Sequence, residues 1–382
     1  MSKATSWTLL EKEAGPSPEG RSGSTICASC DSTDSLILFG GGGKTVYYDD
    51  LWVYSPSKQN WEHIFAAGQT PQERAYHVAV STPVGMLVFG GWRGNEFLSD
   101  THVLTPSEGQ FRYEWREVSI SGDEAIPRAY HTANLIGTRV YFFGGWYQGF
   151  LSKVDILDTQ TWTIGQVKAF GKPPTPRAAH STTTVGSQLY IFGGESENGR
   201  LNDLHVFDTE SLSWSTPEVR GKAPLPRSGH SAVLTGKHIF YFGGWDGKHH
   251  LNDLFVLDIE NMAWLTMGRE VAVRNKGPSV RSGHSCIRLP NGGHELMIFG
   301  GWNHESFIRD TWIMKLHGFD ELSEGIETKQ KSKSEMAIPT VLRMSELLEA
   351  RGKGLLDEVG EWSDVVDKMV SESICLSFES CY

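Results

Sequence analysis

Cysteine is scarce in this 382-residue chain: Cys27, Cys30, Cys286, Cys375 and Cys381 are the only five, an odd number that suits a reducing compartment better than a disulfide framework. Cys27 and Cys30 form one CxxC, but CASCDSTDS supplies neither a second pair nor two histidines, so the pair reads as structural rather than as a zinc site. Long apolar runs are missing as well. Nothing approaches the roughly 18 consecutive apolar residues of a membrane span, and the opening MSKATSWTLLEKEAG has no stretch of the signal-peptide kind. A soluble intracellular protein is expected, cytoplasmic with the nucleus left open. Positive charge is also short: the net charge is −11 and no basic run occurs, which argues against non-specific nucleic-acid binding, and neither a nucleic-acid nor a membrane partner is expected. GxSxG, P-loop and HExxH motifs are absent too.

The chain is rich instead in rings and glycine, with 13 Trp, 18 Phe, 11 Tyr and 42 Gly, a composition of short strands and tight turns. An apolar run ending in Gly-Gly recurs six times, as LILFGG, MLVFGG, VYFFGG, LYIFGG, IFYFGG and LMIFGG, ending at Gly41, Gly91, Gly145, Gly194, Gly244 and Gly301. The spacings are 50, 54, 49, 50 and 57 residues. An arginine precedes each copy: Arg21, Arg74, Arg128, Arg177, Arg227 and Arg281. Five of these open an RxxH, ending at His77, His131, His180, His230 and His284. After Gly-Gly comes a second apolar segment, mostly led by an aspartate, as in NDLHVFD and NDLFVLD; the third copy, SKVDILD, has Lys153 there. A tryptophan then follows in five copies, at Trp61, Trp115, Trp162, Trp214 and Trp264.

This in-phase set resembles the kelch repeat over about residues 6–316. The resemblance implies an all-β, six-bladed kelch β-propeller, each unit giving four short strands that bury their faces only against neighbouring blades. The sixth unit has no fourth strand of its own. Trp7 stands 14 residues before Arg21, close to the 13 separating Trp61 from Arg74, which predicts that residues 6–13 supply that strand and close the ring. The domain reading is a propeller over 1–317, a polar linker over 318–339 and an acidic helical tail over 340–382.

In an up-and-down blade, the loops after the second strand share a face with the blade-to-blade connections. Those loops are the long ones here, such as WRGNEFLS, WYQGFLS and WDGKHHLN, and so is the stretch from Arg269 to Val280, so this face is expected to bind. Its candidate partner-binding residues are Arg74, Trp92, Arg93, Arg128, Trp146, Tyr147, Arg177, Arg227, Trp245, His249, Arg281 and Trp302. Two readings of the arginines stay open, a structural one in which they bond carbonyls or acids of the neighbouring blade, or an open ring of guanidinium groups for an acidic or carboxylate-bearing peptide. The tryptophans are either inter-blade packing or binding anchors. Some proteins with this repeat are enzymes. The ExxxDxxxH iron motif of the glucosinolate specifier proteins is approached by Glu96, Asp100 and His102, but the histidine falls two residues early. A copper site of the galactose-oxidase kind finds no cysteine beside a Tyr/His cluster, and adjacent His249 and His250 read as solvated. No metal, no cofactor and no catalytic residue is expected. The expected role is protein–protein interaction, as a scaffold or adaptor, against a metal-dependent small-molecule enzyme at the propeller mouth.

From Gly318 onward there are 14 acidic and 7 basic residues. Val341, Leu342, Met344, Leu347 and Leu348 make one helical stripe, and Leu355, Val359, Trp362, Val366 and Met369 a second. Such a hairpin would pack on the propeller or dock a second protein. By analogy with the family the chain could be a substrate receptor of a ubiquitin ligase, although no BTB domain, F-box or clear elongin-type box is visible.

Overall fold

A computed structural model describes residues 4–10, 15–32, 34–266, 277–290 and 293–317. The linker and tail readings, and most of the Arg269–Val280 stretch, lie outside the described residues. Among the described residues no helix is long and apolar enough to cross a membrane.

The described residues form six sheets, each built on antiparallel strands that run outward in chain order except in the last, whose outer strand comes from the start of the chain. Blade four is representative: Ser181–Val185, Gln188–Ser196, Gly199–Asp208 and Ser213–Ser215. Blades two, three and four carry a fifth short strand that the repeat did not predict. Ala67–Gly68, Ser121–Gly122 and Phe170–Gly171 run parallel to the outer strand of the blade they enter. The last blade closes as expected, with Ala4–Leu9 paired to Thr311–His317 and Trp7 opposite Met314. The closing strand begins at Ala4, two residues before the expected start, and residues 11–13 of the expected strand lie outside the described residues. Its partner begins at Thr311, and the Leu10 N–H donates to the Thr311 carbonyl at 3.0 Å.

Gly-Gly is required where two blades meet. In blade two, Gly90 and Gly91 have φ of 65° and 110°, a left-handed turn that side chains resist. A Cβ on Gly91 would stand 2.8 Å from the His77 Cβ, and one on Gly90 would stand 2.8 Å from the Arg128 carbonyl. That close approach lets the Gly91 N–H donate to the Arg128 carbonyl at 2.9 Å. The same bond joins every blade to the next, including Gly301 to Arg21 across the closure at 2.8 Å.

The arginine resolves one open alternative. Arg21, Arg74, Arg177, Arg227 and Arg281 are fully buried, and each grips both oxygens of an aspartate, Asp50, Asp100, Asp203, Asp253 and Asp310 respectively. Each also donates to the carbonyl of the first glycine of its own pair, as Arg177 does to Gly193 at 2.9 Å. Burial alone would raise the Asp203 carboxyl, but hydrogen bonds from Arg177 and His205 hold it well below the usual carboxylate range.

Blade three differs. Lys153 occupies the aspartate position, and Arg128 is met by Asp155, two residues further on, at 2.5 Å. Two residues along a strand return to the same side of the sheet, which is why the carboxylate still reaches.

Tryptophans from the outer strands pack on the phenylalanine before Gly-Gly in the preceding blade: Trp61 on Phe299, Trp115 on Phe39, Trp214 on Phe143, Trp264 on Phe192 and Trp7 on Phe242, with centroids 5.0–5.4 Å apart. Trp162 is out of phase with them. It sits in the hairpin turn at φ 54°, where blades four and five have Leu212 and Met262 at 53° and 43°. Ile164 fills the inter-blade place, buried in one cluster with Phe89 and Phe142.

Candidate functional site

One residue per blade, the third of each Arg-x-x-His or its counterpart, encircles the axis. Tyr76 N–H donates to the Gly23 carbonyl, Tyr130 to Tyr76, Ala179 to Tyr130, Gly229 to Ala179, Gly283 to Gly229 and Gly23 to Gly283, all at 2.8–3.0 Å. The six bonds form a closed loop. All six residues have φ between 52° and 69°, which explains three glycines; the two tyrosines and Ala179 adopt the same geometry at some cost. Tyr76 leans over Gly23 and its hydroxyl reaches Ser22 Oγ at 2.8 Å, while Tyr130 stacks on Tyr76 with centroids 4.1 Å apart. Blades one to three are thereby covered by two phenol rings, while Ala179, Gly229 and Gly283 carry little or no side chain.

The histidines that follow tie the inner strands together. His77 Nε2 meets Thr25 Oγ1, His180 meets Thr132, His230 meets Ser181 and His284 meets Ser231, at 2.8–3.0 Å. At the closure, Ser285 Oγ donates to the Ser24 carbonyl at 2.8 Å. His131 faces the blade-two position held by Val78, and neither of its ring nitrogens has a hydrogen-bond partner. Burial, then the neighbouring arginine, pushes His77 and His230 down to about 3. His131, His180 and His284 are lowered well below the ordinary value for the same reasons.

A cavity of about 960 Å³ opens at this place, on the face of the loops that follow Gly-Gly. Trp146, Phe150, Trp245, His250, Trp302 and His304 line it together with Glu195, Ser196 and Glu197. Trp146 is the most open of the three indoles, 37% exposed. The residue after Gly-Gly is held in each case by a backbone bridge to the segment after the arginine, such as Ala129 with Trp146, Ala178 with Glu195 and Ser228 with Trp245.

Of the residues proposed from sequence, the structure brings Trp146, Trp245 and Trp302 to this cavity. It does not bring the others. Arg74, Arg128, Arg177, Arg227 and Arg281 are at most 1% exposed and engaged by carboxylates, so the open guanidinium ring is corrected to a set of internal clamps. Trp92 turns to Tyr47, donating Nε1–H to its hydroxyl at 3.0 Å, and packs on Phe97. Arg93 is held by Gln72 and Glu73, and Tyr147 packs edge-on against Phe97. His249 is exposed beside Asp246, outside the cavity lining.

Asp100 of the near-iron motif clamps Arg74. Among the described residues no three His, Cys, Asp or Glu side chains group in a way that could hold a metal ion. The CxxC is split between a buried Cys27 and an exposed Cys30, neither in a disulfide. The site residues that sequence reasoning passed over are Tyr76, Tyr130, Phe150 and Glu197. A signal for the two tyrosines was present, because the third position of the repeat reads Gly, Tyr, Tyr, Ala, Gly, Gly around the ring.

The family described as the KLHDC2/KLHL20/DRC7 Kelch-repeats domain matches residues 2–112 and 111–301. The chain is similar to Acyl-CoA-binding domain-containing protein 5 of Arabidopsis thaliana, 33% identical over 142 residues, 37% of this chain and 21% of that protein. It is similar to the Rab9 effector protein with kelch motifs of Xenopus laevis, 27% identical over 184 residues, 46% of this chain and 49% of that protein. Host cell factor 1 of Homo sapiens is 29% identical over 144 residues, 36% of this chain and 7% of that protein. The matched part spans less than half the length of each of these relatives.

Proposed function

This chain belongs to the kelch-repeat domain family, and we propose on that premise that it is a protein-binding scaffold or adaptor that takes a peptide segment of its partner into the mouth of the propeller. The observation that carries this is the cavity of about 960 Å³ with three indoles on its rim, large enough for several side chains. Indole offers large contact area at low entropic cost, and tryptophan is enriched among residues that dominate binding energy. A binding role rather than catalysis is favoured because the buried histidines and arginines are committed to holding blades together. One relative carries the word effector in its name, which agrees with a protein partner.

The test is selection of a random displayed peptide library on the full chain, followed by binding of the selected peptides to Trp146→Ala/Trp245→Ala. Peptides that bind the parent chain and lose at least about tenfold in affinity on the variant support the mouth, since two indole anchors together contribute on the order of 2 kcal/mol or more. An unchanged melting temperature shows that folding is intact. Selected peptides that bind both proteins equally place the site elsewhere.

A further inference from the structure

The charged groups in the cavity lining are of one sign. Glu195 and Glu197 belong to it, and among the described residues no lysine or arginine does. Five of its seven histidines are those of the blade junctions, buried and held below their ordinary titration range, so they add no positive charge at neutral pH. Glu195 stands where blades two, three, five and six have tryptophan, so around the rim it falls between Trp146 and Trp245. It forms an ion pair with Arg200, at 3.1 Å. Glu197 is exposed, and among the described residues it has no ion pair. Carboxylates flanked by aromatic faces attract a cation twice over, by direct charge and by the ring quadrupole, and they repel a carboxylate.

We infer that the mouth takes a cationic group, the ammonium or guanidinium of a peptide partner, seated between Trp146 and Trp245 and neutralised by Glu195 and Glu197. This rests on the reading of the mouth as a peptide site, and it replaces the acidic or carboxylate-bearing partner that an open arginine ring would have recruited.

The experiment uses the full chain labelled at its tryptophan indoles, each indole N–H resonance assigned by Trp→Phe variants. It is titrated at fixed ionic strength with blocked tripeptides Gly-Lys-Gly, Gly-Arg-Gly and Gly-Glu-Gly. The Lys or Arg peptide should shift the Trp146 and Trp245 resonances saturably, the two arms telling ammonium from guanidinium, while the Glu peptide leaves them in place. Glu197→Gln, at an exposed position and with the Glu195–Arg200 pair intact, should weaken the basic peptide severalfold, and Glu195→Gln/Glu197→Gln should weaken it further. Equal binding of the Glu peptide, or undiminished binding of the basic peptide to the double variant, overturns the cation preference and leaves the mouth as the site. If no peptide moves any of the Trp146, Trp245 and Trp302 resonances, the inference falls, and the display selection then decides separately whether the mouth reading falls with it.

Discussion

In blades four and five, Arg177 and Arg227 each take both oxygens of an aspartate 26 positions ahead and the carbonyl of Gly193 or Gly243. In blade three, Arg128 reaches one oxygen of Asp155, 27 positions ahead, and its Nη1 has no partner. The inter-blade apolar group of blades four and five is the indole of Trp214 or Trp264, and that of blade three is the aliphatic side chain of Ile164. His180 and His230 each hold a hydroxyl of the preceding blade, whereas His131, with Val78 at the corresponding position of the preceding blade, has no hydrogen-bond partner. One blade therefore keeps the fold while departing from the repeat at three places. What a blade needs is a carboxylate within reach of the buried guanidinium and an apolar group in the junction, and more than one residue pattern supplies them.

The largest expected effect comes from acid, because it acts on five junctions together. The folded values of the buried histidines lie below the ordinary value near 6.5, with His77 and His230 at about 3. Between those limits the unfolded chain binds more protons than the folded one. Their contribution is therefore full above about pH 6.5 and is lost as pH falls, by as much as ~1.4 kcal/mol per pH unit for each histidine. The lowered Asp203 acts in the same direction at still lower pH. The urea midpoint should be flat near pH 7–8 and fall steeply below it, and His131→Leu should remove one histidine's share of the slope just as His180→Leu does. A flat midpoint down to pH 4.5 would show that the histidines accept protons without opening the junctions.

Next in size is the clamp. Asp253→Ala leaves Arg227 buried without its counter-charge and should cost about 3–5 kcal/mol in chemical denaturation. Blade three allows the sharper form of the test. In other blades the residue two past the aspartate already touches the carboxylate, as Trp52 Nε1–H does at 2.7 Å and His205 Nε2 at 2.8 Å. Asp155→His alone should thus be as damaging as Asp253→Ala, and Lys153→Asp/Asp155→His should recover most of the loss by rebuilding the regular arrangement. Failure of the double variant to recover would mean that the backbone of blade three has moved to suit Asp155.

The ring of blades was legible because Gly-Gly, arginine, aspartate and tryptophan recur in phase, and the closing strand because Trp7 kept the distance to its arginine. Equivalence at single positions was less legible. Trp162 follows the acidic segment as Trp214 does, yet two residues separate a turn from a buried strand position. Trp92 and Trp146 share one place in the repeat, but Tyr47 from the neighbouring blade draws the first indole away from the mouth. His249 and His250 are adjacent, and only His250 begins the strand His250–Asp258 and lines the cavity. The sequence leaves the structural and the binding reading of the periodic arginines both open, because nothing in the spacing alone says that the aspartate ahead folds back to bury them.

The exchange of tryptophan for isoleucine gives a middle-sized effect. Trp264→Ala should cost about 3–5 kcal/mol and Ile164→Ala about 2–4 kcal/mol, each opening a junction. Trp162→Ala should cost less than either, since its ring is half-buried beside a turn. If Trp162→Ala proved as costly as Trp264→Ala, the turn indole would be carrying part of the junction and the two blades would be more alike than their geometry indicates.

The smallest effect is the most discriminating, because it tries to make blade three's junction regular. Val78 and threonine have nearly the same shape, and Val78→Thr places a hydroxyl where Thr25, Thr132, Ser181 and Ser231 carry theirs, opposite His131 Nε2. A hydrogen bond gained there contributes about 1 kcal/mol. The reverse change, Thr25→Val, strips His77 of its partner and should lose about as much. The two variants together separate hydrogen bonding from packing, since each preserves side-chain volume. A gain from Val78→Thr matched by a loss from Thr25→Val would show that the junctions of blades two and three are interchangeable with the rest. A loss from both would show that the His131 pocket is shaped for an apolar neighbour, and that a buried hydroxyl without its bond costs more there than the missing partner does now.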